Sequence, residues 1–328
     1  MKKKVLITGI TGFVGSHLAE YILSLNKRDI QLYGALRWRS SRENIKDILG
    51  RINFQYCELL DFKSTADLMG VVKPDIVFHL AAQSYVMTSF NAPVNTIETN
   101  VCGTINLLEA IRYAKIDPIV HICSSSEVYG QVKKNEIPIK ETQPFRPASP
   151  YAVSKVGEDM VAYQYFISYG IKTIRTRMFT HTGPRRGEVF ASSSFANQIA
   201  RIEMGLQEPV LHVGNLESIR TFCDVRDTVC AYWLMVNKCM PGEVYNIGGQ
   251  RTMKVGQMLD ILLSMTEKKI KIKVEQYLLR PSDVTLQIPD TSKFKKQTGW
   301  EPKIPVEATL RDLLNYWRSK HKSSSYSP

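Results

Sequence analysis

Val5-Leu6-Ile7-Thr8-Gly9-Ile10-Thr11-Gly12-Phe13-Val14-Gly15 commits this chain to an architecture. A short apolar, β-prone run ends at Gly9, and a helical apolar period (Val14, Leu18, Ile22, Leu25) begins near Phe13. Glycines 9, 12 and 15 therefore sit in a strand–turn–helix junction. Glycine lets the backbone approach a pyrophosphate closely, and the helix start supplies free amides and a partial positive charge. In that setting the triplet reads as a dinucleotide site.

Further strands are expected over 31–36, 54–59, 75–80 and 119–123, with helices between them, notably over 94–114. A helix over 151–169 and a strand over 173–178 complete the alternation. Strands and helices alternating at this spacing form right-handed βαβ units, hence an α/β fold with a doubly wound parallel sheet. Residues 1–178 read as the dinucleotide-binding domain, rejoined by about 221–247. After 178 the texture changes to polar loops such as 180–188 and 212–222, with short helices between them. Residues 179–220 and 248–319 read as a smaller substrate lobe over the strand ends, where open α/β sheets bind ligands. A last helix should begin near Pro305, with Leu310, Leu313, Leu314 and Trp317 as its apolar stripe. The serine-bearing tail, 320–328, is expected to be disordered.

The 328 residues are 44% hydrophobic and 23% charged, a balance that suits a globular protein with a sizeable core. No run approaches the roughly 18 apolar residues of a membrane span. The basic, apolar N-terminus is broken by glycine and lacks a small-residue cleavage site, so it reads as a first strand and not a signal peptide. Cysteines 57, 102, 123, 223, 230 and 239 show neither CxxC nor metal-ligand spacing. They read as buried, reduced thiols in a cytoplasmic protein without a metal. The net charge of +12 is spread along the chain, and its densest cluster, near Lys293–Lys296, lacks interleaved aromatics. That speaks against a nucleic-acid partner and for an anionic small substrate.

Three further constellations carry chemistry. The second strand ends in Leu36-Arg37-Trp38-Arg39-Ser40-Ser41-Arg42, with no carboxylate before Glu43. An acidic residue there would suit the ribose hydroxyl of NAD, whereas guanidinium forks and hydroxyls suit the 2′-phosphate of NADP. Cys123-Ser124-Ser125-Ser126-Glu127 follows the fifth strand, so a hydroxyl and a carboxylate reach the same face as the glycine loop. Such a turn can also be a plain helix cap. Tyr151 and Lys155, four apart, share one helix face. A lysine there is expected to lower the phenol from its usual pKa near 10 and make Tyr151 usable as a base.

Together these residues resemble the extended short-chain dehydrogenase/reductase family. The Gly9/Gly12/Gly15 loop, Leu80-Ala81-Ala82, Asn100 with Gly103-Thr104, Ser125 and the Tyr151/Lys155 pair stand in family order. The second half resembles the GDP-mannose branch through Phe179-Thr180-His181-Thr182-Gly183-Pro184-Arg185-Arg186-Gly187-Glu188, Gly214-Asn215-Leu216-Glu217 with Arg220, and Arg280-Pro281-Ser282-Asp283. That branch holds GDP-mannose 4,6-dehydratases and GDP-4-keto-6-deoxymannose reductases. Gly12-Phe13-Val14-Gly15 stands where the dehydratases resemble Gly-Gln-Asp-Gly. Ser125 stands where they carry threonine, and Thr180 where both enzymes usually show asparagine. Asp224-Val225-Arg226-Asp227, Gly242-Glu243-Val244-Tyr245-Asn246 and the 312–317 helix look more like the reductases.

The resemblance implies a Rossmann sheet, NADP as cofactor, a GDP-sugar as substrate, and a homodimer or homotetramer paired through helices around 94–114 and 151–169. It implies Ser125, Glu127, Tyr151 and Lys155 as the catalytic set. For the cofactor it points to the glycine loop with Phe13 and Val14, to Arg37, Arg39 and Ser40, and to Leu60, Asp61, Leu80, Ala81, Ala82, Asn100, Tyr151, Lys155 and His181. For the substrate it points to Ser84, Thr180, Arg185, Arg186, Val213, Asn215, Arg220 and Arg280. The implied dehydratase cycle has Tyr151 take the sugar C4 hydroxyl proton while NADP accepts the hydride. Glu127 then removes the C5 proton as water leaves C6, and the hydride returns to C6. The sugar would be manno-configured, mannose or a relative such as a heptose. The alternative is a plain 4-keto reductase, which needs no base at C5.

Overall fold

The structure is a computed structural model and describes residues 2–324. Its sheet has seven strands: β1 (Lys3–Thr8), β2 (Ile30–Leu36), β3 (Asn53–Tyr56), β4 (Ile76–His79), β5 (Ile119–Ser125), β6 (Lys172–Met178) and β7 (Val244–Ile247). They run β7-β6-β5-β4-β1-β2-β3, every pair parallel. The strand order reverses at β1, which pairs with β2 on one side and β4 on the other. Ligand crevices open at such a switch, outside the carboxyl ends of the strands.

Eight longer helices accompany the sheet: α1 (Phe13–Ser24), α2 (Phe62–Val72), α3 (Gly103–Tyr113), α4 (Pro150–Tyr169), α5 (Ala191–Glu203), α6 (Val225–Lys238), α7 (Val255–Leu263) and α8 (Val306–Ser324). Side chains alternate across a strand, so Val5 and Ile7 face one layer and Leu6 the other. Val5, Ile7, Ile76 and Phe78 pack with Leu18 of α1 and Val229, Tyr232 and Trp233 of α6. Leu6, Val77, Val120 and Ile122 pack with Leu68 of α2, Leu107 and Ile111 of α3 and Ala162 of α4. Burial on both faces explains why these strands read as unbroken apolar runs. Each such side chain contributes about 1.5–3 kcal/mol.

A second core lies in the C-terminal lobe. Phe195 and Ile199 of α5 meet Met258 and Leu262 of α7 and the expected stripe of Leu310, Leu313, Leu314 and Trp317 on α8. The Trp317 indole donates to Ser193 Oγ at 2.9 Å.

The helix that carries Tyr151 and Lys155 is fixed at both ends and in the middle. Ser149 Oγ accepts from the Ala152 amide at 3.1 Å, Pro150 opens the first turn, and Gly170 closes α4 with φ 70°. Asp159 receives Arg175 Nη1 at 3.0 Å and Arg177 Nε at 2.8 Å, tying α4 to β6 inside the protein.

Several expectations need correction. The helix expected over 94–114 is broken into Pro93–Ile97, a π turn at Glu98–Cys102, and α3. Val101 of that turn presses on Gly157, where an added Cβ would lie 2.7 Å away. The third strand stops at Tyr56, because a turn closed by the Asp61 amide on Glu58 O intervenes. After 178 the helices are not all short, since α6 spans 14 residues and packs against β5 of the sheet beside α1. Cys102 is exposed, unlike the buried thiol expected, although all six cysteines are free. The tail expected from 320 is helical to Ser324: Lys320 lies over the Trp317 ring and His321 pairs with Asn197 Oδ1 at 2.6 Å. The rest of that tail, 325–328, lies outside the described residues.

Candidate active site

The glycine turn can be built only as written. Gly9 adopts φ +68°, and a Cβ there would come within 2.9 Å of the Ala81 backbone. At Gly15 a Cβ would meet Gly9 O at 2.3 Å. The turn therefore lies flat against the loop after β4, and Gly12 stands as the N-cap of α1, leaving its amides without a side-chain cap.

Above it opens a cavity of about 930 Å³, walled by the strand ends and the lobe. Of the expected cofactor residues, Gly9, Gly12, Phe13, Val14, Gly15, Arg37, Ser40, Leu60, Leu80, Ala81, Ala82 and His181 line it. So do all four catalytic candidates and Ser84, Thr180, Arg186, Val213, Asn215, Arg220 and Arg280. A flat glycine cradle with a guanidinium and a hydroxyl at the β2 end fits a dinucleotide carrying an extra phosphate.

Four expected residues are not on that wall, each for a local reason. Arg39 is exposed, in a left-handed turn with φ 66°. Asp61 caps α2, its Oδ1 accepting the Ser64 amide at 2.7 Å. Asn100 is buried behind the wall, accepting from the Gln83 amide at 2.8 Å and donating to Ser154 Oγ at 2.8 Å. It thus joins the loop after β4 to α4. Arg185 turns towards α1, where its Nη1 donates to Glu20 Oε1 at 2.9 Å and its Nη2 reaches His17 Nδ1 at 2.8 Å.

Arg186 does the opposite. Its guanidinium lies 3.6 Å from the Phe190 ring centroid and 5.1 Å from that of Phe13, with no ion pair among the described residues. Burial pushes its pKa down to about 10, so it keeps its charge near neutral pH. A cation held between two rings and facing a cavity calls for an anionic ligand. His181 stacks on Phe13, their ring centroids 5.8 Å apart at 8°. Burial, then Arg186, lowers His181 to about 3, leaving it neutral.

Ser125 ends β5 and does cap the turn at Ser126–Tyr129, its Oγ accepting the Glu127 amide at 3.2 Å. Capping and a place on the cavity wall coexist. Lys155 Nζ donates to Cys123 O at 3.0 Å and to Glu158 Oε2 at 2.7 Å. The expected lowering of Tyr151 does not hold: burial raises its pKa, and Lys155 and Ser125 offset this only in part. Glu158, absent from the expected set, accounts for part of the difference by raising the phenol further. Sequence spacing gave no hint of it, because an acid three residues after a lysine is an ordinary helix-surface pair.

At the lobe end, Asp283 gathers the polar groups. Its Oδ2 accepts from Asn215 Nδ2 at 2.6 Å and Ser218 Oγ at 3.1 Å, and its Oδ1 lies 3.7 Å from both Arg220 and Arg280. Phe190 and Tyr85, edge to face at 5.7 Å, also line the cavity. Aromatic identity alone carried no signal for either. Among the described residues no cluster suits a metal ion, and no helix is long and apolar enough to cross a membrane.

The switch-point cavity, the glycine cradle and the Ser125/Tyr151/Lys155 group define an extended short-chain dehydrogenase/reductase. A family model described as GDP-mannose 4,6 dehydratase matches residues 6–313, so the chain belongs to that family. It is 31% identical to GDP-6-deoxy-D-mannose reductase of Pseudomonas aeruginosa, over 98% of this chain and 99% of that one. It is 32% identical to GDP-mannose 4,6-dehydratase of Yersinia enterocolitica, over 95% and 93%. Among solved structures it is similar to RMD from Pseudomonas aeruginosa complexed with NADPH, with TM-score 0.84, 31% identity and coverage of 97% and 100%. The UDP-glucose 4-epimerase of Thermotoga maritima gives 0.85 at 28%, with coverage of 97% and 99%.

Proposed function

We propose that this enzyme is a GDP-mannose 4,6-dehydratase, or acts likewise on another GDP-linked manno-configured sugar such as a heptose. The observation that carries this reading is Glu127 on the cavity wall with Ser125 and Tyr151, because a plain reductase needs no second base. NADP is the cofactor we assign, on Arg37, Ser40 and the glycine cradle. When bound, its nicotinamide supplies a hydride acceptor that is also the later donor.

In this scheme Tyr151 takes the proton of the C4 hydroxyl, and the Ser125 hydroxyl holds the same oxygen. The resulting 4-ketone acidifies C5–H, and Glu127 accepts that proton. The proton then goes to the departing C6 hydroxyl, which leaves as water, and hydride return to C6 is matched by reprotonation of C5, the proton taken from the C4 hydroxyl closing the balance. Arg220, Arg280 and Arg186 hold the anionic nucleotide, with Asp283 orienting the first two. Arg37 and Ser40 hold the 2′-phosphate.

The division into residues 1–178 with 221–247, and 179–220 with 248–319, is our proposal for the domains. A homodimer or homotetramer is supported by Val153, Met160 and Ile167, which repeat every seven residues along α4 and are exposed. Six free thiols support a cytoplasmic setting.

The second reading, a GDP-4-keto-6-deoxymannose reductase, is favoured by similarity to the reductase of Pseudomonas aeruginosa over nearly both full lengths. Incubation with GDP-mannose and no added NADPH separates the two. A 4-keto product supports the dehydratase. No product, with NADPH-dependent reduction of the 4-keto sugar, supports the reductase.

A further inference from the structure

Glu158 is an acid inside the protein that none of the steps above uses. It lies on α4, 1% exposed, and its Oε2 accepts the Lys155 ammonium at 2.7 Å. Its other oxygen, Oε1, is buried with no hydrogen-bond partner. The neighbouring Asp159 shows what a purely structural acid looks like here: both its oxygens are taken by Arg175 and Arg177. Glu158 instead spends its one bond on the lysine that stands beside Tyr151, 5.9 Å from the ring centroid.

We propose that Glu158 is a positioning residue for the reaction, holding the Lys155 ammonium on the Cys123 carbonyl and setting the pH at which Tyr151 exchanges its proton. This rests on Tyr151 as the acid–base group, and holds for dehydratase and reductase alike. A carboxylate beside the lysine cancels much of the charge that would stabilise a tyrosinate. The lysine is therefore held in place without driving the phenol to ionise.

The other groups around the trio keep one charge state near neutrality. On β4 and β5, His79 and His121 are lowered to about 3, by burial first, and stay neutral. Burial also raises the Cys123 thiol. Asp159 is held by its two arginines, and Arg186, across the cavity, remains cationic. Glu158 differs from them: burial, opposed by Lys155, pushes its pKa up.

The test compares wild type with Glu158→Gln, each paired with its Tyr151→Phe counterpart, all in full-length, NADP-saturated protein. Subtracting the ultraviolet tyrosinate signal of the paired variant isolates one phenol among 15 tyrosines. The Tyr151 midpoint should fall by about one pH unit in Glu158→Gln. An unchanged or higher midpoint overturns the proposal. If Glu158→Gln is poorly folded, Glu158→Leu removes the same charge at similar volume and must give the same downward shift. The pH–rate limb belonging to Tyr151 should move the same way whether the phenol acts as base or acid. The spectrum needs no sugar, so it stands even if the assigned substrate is wrong.

Discussion

Arg280 Nη1 lies 3.8 Å from Glu127 Oε1, so the guanidinium assigned to the nucleotide already faces the carboxylate assigned to dehydration. Asp283 shares that guanidinium at 3.7 Å. On the proposed reading, a diphosphate arriving at Arg280 would compete with both carboxylates and so would link nucleotide binding to the freedom of the base.

The first prediction concerns that base. Glu127→Gln keeps the shape and removes the proton acceptor. It should lower dehydration by about 10²–10⁴-fold. Reduction of a 4-keto sugar should change little, and nucleotide affinity should tighten modestly, because one competitor for Arg280 is gone. Product analysis with both substrates, alongside calorimetry, checks this. Dehydration at the wild-type rate would remove Glu127 from the mechanism.

The second concerns Arg186. An unpaired cation between Phe13 and Phe190 contributes nothing to folding through an ion pair. Arg186→Met should leave the melting temperature equal or higher. Ligand affinity should fall roughly 10-fold or more, the loss of a charge-assisted bond worth about 1.5–3 kcal/mol. Thermal melts and titration with NADP and GDP separately show which phosphate it serves.

The third concerns the frame behind the site. Asp159→Asn leaves Arg175 and Arg177 buried without a countercharge. Breaking a buried ion pair in this way costs about 3–5 kcal/mol. The denaturant midpoint should drop accordingly. A loss below about 1 kcal/mol would mean that α4 is held by apolar packing alone.

The fourth concerns acid. His79 bridges Thr8 Oγ1 at 2.9 Å and Thr104 Oγ1 at 3.1 Å, and His121 meets Thr176 Oγ1 at 2.8 Å. Burial lowers both from 6.5 to about 3. The unfolded chain therefore binds protons that the folded one refuses, and stability falls as pH drops from about 6.5 towards 3. Each histidine should contribute on the order of 1–3 kcal/mol to that loss. Melting temperatures between pH 7 and 4.5 should fall steadily, less so in His121→Gln.

Much of this was legible along the chain because the signals are local. The glycine turn, the apolar strands and the 150–169 helix follow from backbone freedom and side-chain period, and these survive folding unchanged. What sequence could not carry was direction. Arg185 and Arg186 are adjacent, yet one turns to Glu20 and the other to the cavity, a choice made by the left-handed φ of 70° at Arg185. Asp61 and Asn100 have suitable chemistry, but a helix cap and a buried bridge claim them first. Glu158 was invisible because nothing in an i, i+3 pair reveals that the helix face is buried.

Internal hydride cycling leaves an isotopic trace in the product. The enzyme is incubated with GDP-mannose deuterated at C4, with no added NADPH, and the product is examined by NMR. A 4-keto-6-deoxy sugar with the deuterium at C6 is the expected product. The absence of any keto product, with GDP-4-keto-6-deoxymannose reduced at the expense of NADPH, would contradict it.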